Sequence, residues 1–152
     1  MTTLEFLRQT AGELASQIEA AGAEQLRRVS SAIAHAAVER SGLSHPVITE
    51  ALQHLNLSAQ PRSELRARVR SLAKQLDADY FDLKQPYEER EDAGKTEPEV
   101  LAAFARARAA SAVAAALGSD ARAAAAVTAC EAIAATEDSE YFTGVARRVL
   151  RR

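Results

Sequence analysis

Residues able to do acid–base, nucleophilic or metal chemistry are few in this sequence and poorly spaced for it. The nearest approach to a ligand pair is Glu50 and His54, four apart and so on one face of a helix. Helical bundles that hold two metals use Glu-x-x-His pairs with further inward carboxylates, and this chain has no such pair. His35 falls opposite a stripe containing Leu26 and Ile33, which places it on the surface; His45, before Pro46, reads as a turn residue. The single cysteine, Cys130, sits on an apolar helix face and reads as a small buried hydrophobe rather than a nucleophile. There is no Gly-rich phosphate loop, no H-E-x-x-H, no paired cysteine spacing and no G-x-S-x-G elbow. The expectation is a non-enzyme without cofactor or metal.

Charge and aromatic placement point elsewhere. From Arg62 to Lys74 there are five basic residues (Arg62, Arg66, Arg68, Arg70, Lys74) and one acid, Glu64. From Asp77 to Asp92 there are seven acids against Lys84 and Arg90. On one helix this order opposes the macrodipole at both ends, so local helix stability does not explain it. The acidic part also carries Tyr80, Phe81 and Tyr87, three of the seven aromatic residues. Rings within a field of one sign suit an interface: the rings supply buried contact and the carboxylates steer a basic partner. The expected partner-binding set is therefore Asp77, Asp79, Tyr80, Phe81, Asp82, Tyr87, Glu88, Glu89, Glu91 and Asp92. The competing reading is a solvated helix end whose rings fold back onto the body of the protein. The basic residues, spread around their helix, are expected to pair with acids elsewhere rather than to bind nucleic acid.

The elements that must position these residues are all helical. No segment alternates with period two, so an all-α, single-domain fold spanning 1–152 is expected, with about seven helices. Leu4, Leu7, Leu14 and Ile18 mark a helix over 3–20; Leu26, Val29, Ile33, Ala36 and Ala37 mark a second over 23–41, ended by Gly42. A short helix over about 45–57 precedes a long one that Pro61 starts and Pro86 stops, its stripe being Leu65, Val69, Leu72, Leu76 and Leu83. A charged loop over 85–95 leads to an Ala-rich hairpin, 96–136, in which 19 of the 35 residues from Leu101 to Ala135 are alanine. Thr96 and Glu99 form a capping box around Pro98, Gly118 ends the first helix of the pair, and Ser119 caps the second. The inward faces are read as Val100, Phe104, Ala107, Ser111 and Ala114, then Ala123, Val127, Cys130 and Ala134. A last helix runs over 138–151. Side chains this small allow close helix approach, so the hairpin is the expected centre, in either a bundle or a short HEAT-like stack of helix pairs.

Composition bounds the functional classes. With 19 basic and 21 acidic residues the net charge is −2, against a dedicated nucleic-acid binder. The low-charge run from Ala109 to Ser119 is too short for a membrane span, which needs about 20 apolar residues. One cysteine and no signal-peptide pattern at the start suggest a cytoplasmic protein.

The Leu-rich stretch from Leu26 to Val38, the acidic-aromatic middle, and the stretches from Phe104 to Ala110 and Ala132 to Asp138 are together similar to Ala-rich helical immunity-protein families of bacterial toxin systems. The likeness covers about two-thirds of the chain and transfers no functional residue. It implies a protein that binds and occludes a toxin; many such toxins are basic nucleases, which the acidic 77–92 segment would suit. The rival expectations are a self-associating helical protein (a homo-oligomer through its Ala-rich faces) and a DNA-binding regulator using Arg62–Lys74. An internal polar pocket would instead favour a small-ligand binder.

Overall fold

Wherever the sequence carries a helical stripe, the computed structural model has a helix. It describes residues 2–57, 60, 62–88 (backbone alone at 87 and 88) and 97–151. Among these are eight helices and no strand: α1 Thr3–Thr10, α2 Gly12–Ala20, α3 Ala23–Ser41, α4 Pro46–Leu57, α5 Ser63–Glu88, α6 Pro98–Ala116, α7 Ala121–Thr136 and α8 Ser139–Leu150.

The first expected helix is two. Ala11 leaves the helical region (φ −149°, ψ 73°) between Thr10 and Gly12, where a β-branched residue and a glycine propagate a helix poorly. The break lets α1 lie along α7 while α2 turns toward α8, so that Leu7, Leu14 and Ile18 all enter the core. A salt bridge between Arg147 of α8 and Glu13 of α2, at 2.6 Å, joins the two ends of the chain.

The centre is a triangle of α3, α6 and α7, each packed on the other two. A solenoid of helix pairs would bring only sequence neighbours together. Here α7 also meets α1 and α2, and α8 meets α2 and α3, so the structure is a closed bundle. Within it α6 and α7 bury broad faces, through Val100, Ala103, Ala107, Ala109, Ala110, Ala112, Val113, Ala114 and Ala116 on α6 and Ala124, Ala125, Ala126, Thr128, Ala129, Ala132 and Ile133 on α7. The Thr128 hydroxyl, fully buried, donates to the Ala112 carbonyl across the pair at 3.4 Å.

The expected inner face of α7 is turned outward. Ala123 and Ala134 are exposed and Val127 and Cys130 half-buried, because a helix that is mostly alanine has no period by which sequence can tell its faces apart. The caps also differ. Asp120, not Ser119, caps α7, its Oδ1 accepting from the Ala123 N–H at 2.8 Å. At the start of α6 the cap position belongs to Glu97, which makes no side-chain cap bond, and Thr96 lies outside the described residues. Gly118 follows α6 without the left-handed conformation seen at Gly42 (φ 73°). A Cβ there would stand 3.0 Å from the Ala115 carbonyl oxygen, a tight contact that this turn would have to ease by a few tenths of an ångström. The guanidinium of Arg27 on α3 donates to the carbonyls of Gly118 and Ser119, fastening the α6–α7 turn to the core. Replacing Asp120 by alanine is expected to cost about 1 kcal/mol in urea unfolding, whereas Ser119→Ala costs close to nothing.

Finally, α5 runs through Pro86 to Glu88 rather than stopping before it. Proline in the last turn removes one donor, whose acceptor is the carbonyl of Asp82; that residue is exposed, so water can serve it.

Candidate functional site

Leu65, Val69 and Ala73 bury the first half of α5, but no described residue from Lys74 to Pro86 is fully buried. The distal half of this helix therefore lies at the surface of the bundle, packed along α6. Two contacts fix the antiparallel register: Asp77 meets Arg108, and the Tyr80 ring meets Phe104.

Around that seam the expected residues divide by role. Tyr80 is half-buried, as the periodicity suggests, its ring 5.2 Å from both Phe81 and Phe104 and Lys84 Nζ 5.7 Å from its centroid. Phe81 faces solvent at 61% exposure. Leu83, assigned to the inward stripe, is instead 37% exposed, and Leu101 on the facing stretch of α6 is 54% exposed. By the register just given, Leu101 lies level with residues 83–84, so these apolar side chains occupy one end of the α5–α6 pair. Asp79 and Asp82 are exposed beside them, Asp79 accepting from Gln75 at 3.0 Å. Tyr87 and Glu88 are helical in backbone; Glu89, Glu91 and Asp92 lie outside the described residues.

Asp77 belongs to a different structure. Its carboxylate accepts from Arg108 at 2.6 Å, and Arg108 also donates to Glu131 of α7 at 2.9 Å, with its guanidinium 5.9 Å from the Phe104 ring centroid. All three side chains are partly buried, at 34%, 22% and 25% exposure for Asp77, Arg108 and Glu131. Burial pulls the Arg108 guanidinium down, but the Asp77 hydrogen bond and the two carboxylate charges outweigh it and hold the group above its ordinary value. Burial pushes Glu131 above the usual carboxylate range despite the pull of Arg108, and Asp77 adds to the push. The triad is a clamp joining α5, α6 and α7. It takes Asp77 out of the set free to meet a partner. Sequence alone gives no signal for it, since its members are separated by 23 and 31 residues.

The residues with chemical potential are placed as follows. Glu50 is held by Arg68 at 2.9 Å and Arg62 at 3.8 Å, and His54 Nε2 lies 2.7 Å from the Gln60 carbonyl, so neither is drawn toward the other as a ligand pair. Among the described residues no group of three His, Cys, Asp or Glu is placed to hold a metal ion. His45 Nδ1 accepts from the Val47 N–H at 3.1 Å, the turn role its position suggests. His35 is half-buried rather than on the surface: α3 turns it toward α4, where it lines a cavity of about 560 Å³ with Ser31, His54 and Leu55. Cys130 is half-buried; burial first, then the Glu131 charge, pushes its thiol up to about 11, leaving little thiolate at neutral pH. None of the described helices is long and apolar enough to cross a membrane. Comparison with protein-family models, curated proteins and solved structures finds no match to this chain.

Proposed function

We propose that this protein is a non-catalytic binding module of the immunity or antitoxin kind. It occludes a basic protein partner with the distal half of α5 and the adjoining start of α6. The observation that supports this most is Phe81, 61% exposed on a helix half with no fully buried described residue. A phenylalanine left in water forgoes the contact energy it would gain by burial, roughly 2–3 kcal/mol. Phe81 stands at the same end of the α5–α6 pair as the exposed Leu101, on a stretch of helix that also carries the exposed Asp79 and Asp82, an apolar anchor in acidic surroundings. The rival of self-association through Ala-rich faces has less to draw on, because the buried alanines of α6 and α7 already pack within the bundle and the outward face of α7 carries no exposed bulky apolar side chain.

The test is capture of the partner, then measured kinetics against two variants. Phe81→Ala is expected to weaken binding by about tenfold or more, chiefly through faster dissociation. Asp79→Lys with Asp82→Lys is expected to slow association and flatten its salt dependence. Circular dichroism checks that both stay helical. A captured partner that binds both variants as tightly as the original chain would remove this face from the interface.

A further inference from the structure

The five cations between Arg62 and Lys74 form one run in the sequence, but the fold divides them between faces of α5. Arg62 and Arg68 share the Glu50 carboxylate of α4, and Arg68 also meets Glu64 at 3.7 Å. Once these two are accounted for, the remainder is a clean stripe: Arg66, Arg70 and Lys74, each separated from the next by about 6 Å of helix rise. No carboxylate pairs with any of the three among the described residues. The Arg66 Nε is buried and has no hydrogen-bond partner there either.

Arg70 and Lys74 are exposed and Arg66 is half-buried, so the unmet demand lies at the Arg66 Nε, and an incoming anion relieves the cost of leaving that buried donor unpaired. The surroundings suit one. Arg66, Arg70 and Lys74 form one wall of a groove of about 390 Å³ between α5 and the α6–α7 hairpin, with Ala115 and Val127 among its apolar lining and Ser119 at the turn. Its two acids are already engaged, Asp77 by Arg108 and Asp120 by the Ala123 N–H.

We infer that this groove binds a small phosphate-bearing organic ligand, its phosphate oxygens on Arg66, Arg70 and Lys74 and its apolar remainder on the alanine and valine surface. Three cations in a row exceed what one carboxylate can neutralise and match a group with several charged oxygens; arginine's planar fork suits phosphate in particular. The volume lies in the range of small-molecule sites, about 300–1,000 Å³. No aromatic side chain lines the groove, so the bases of a nucleic-acid strand would have no ring to stack on. The site lies on a different stretch of α5 from the Phe81 face and does not depend on it.

Pyrophosphate is the probe, titrated into the full chain at constant ionic strength. Saturable binding is expected, with the amide resonances of Gly118 and Ser119 shifting along the titration. Arg70→Gln with Lys74→Gln should weaken it by about tenfold or more, since two charge-assisted contacts are lost. Arg62→Gln with Arg68→Gln removes the same charge from the Glu50-paired face and should leave affinity within about twofold. Equal loss in both double variants would overturn the site in favour of a diffuse field. So would an absence of saturation, or a single-stranded oligonucleotide of matched charge binding about tenfold more tightly than pyrophosphate.

Discussion

Phe142→Ala is expected to lower stability by about 3–5 kcal/mol, the range for removing a buried ring. In a chain of this size that is a fall of roughly 10 °C or more in the unfolding midpoint. Phe142 is fully buried on α8 and is the largest side chain so placed, with Tyr141 edge-on at 5.1 Å. The core around it explains why the upper part of the range applies. Much of that core is alanine, and a methyl group on a helix backbone has no rotamer by which to swing into a void. The cavity would therefore stay largely open, and its cost scales with the volume that fails to collapse. Phe142→Leu should cost less than half as much, and Phe81→Ala, at the exposed face, should leave the midpoint nearly unchanged. Urea unfolding of the three variants decides it. A large loss from Phe81→Ala would mean that ring supports the bundle and is not held in reserve for a partner.

What could be read in the sequence was local. Gly42 ends α3 in the left-handed conformation, and Pro46 opens α4. The stripe of Leu26, Val29, Ile33 and Ala37 is buried because leucine, valine and isoleucine recur at helical spacing in a field of polar residues. The exposure of Phe81 could be read in the same way, from its position off the Leu65–Leu76 stripe. The same logic fails where the pattern is uniform or the determinant lies far along the chain. In α7 alanine occupies every side, so the inward face is chosen by packing against α3 and α6. Asp120 rather than Ser119 takes the cap, in a turn whose carbonyls are held by Arg27, some ninety residues away. Asp77 reads as one of seven similar acids until Arg108 and Glu131 are brought to it. Nor does the order of the basic run reveal that Glu50 would claim Arg62 and Arg68 and leave the other three together.

These distant contacts give α5 two characters along one rod. Its first half is core on one side and cationic groove on another; past Ala73 it lies along α6 and carries rings and carboxylates at the surface. Asp77 stands at the change-over. The clamp made there by Arg108 is what orients the distal half, since α6 is the principal element packed against it.

Arg108→Met tests that clamp, and about 2 kcal/mol of lost stability is expected near neutral pH, the cost of breaking a buried pair reduced for partial exposure. Methionine keeps most of the stem's packing, so the loss reports mainly the charge. Its pH dependence follows from Glu131. Burial already raises that carboxyl, and Arg108 is the group pulling it back. Without the guanidinium, the folded-state value moves further above that of the unfolded chain. Between the two values the folded state then binds more proton than the unfolded, so stability rises as pH falls through this window. The deficit of the variant relative to the original protein should therefore be largest near neutral pH and shrink on acidification toward the ordinary glutamate range of about 4–5. Glu131→Gln in the same background should remove most of that slope. A deficit that stays constant with pH would show that Arg108 acts through its guanidinium over the Phe104 ring rather than through Glu131, and the clamp to α7 would then carry little of the stability.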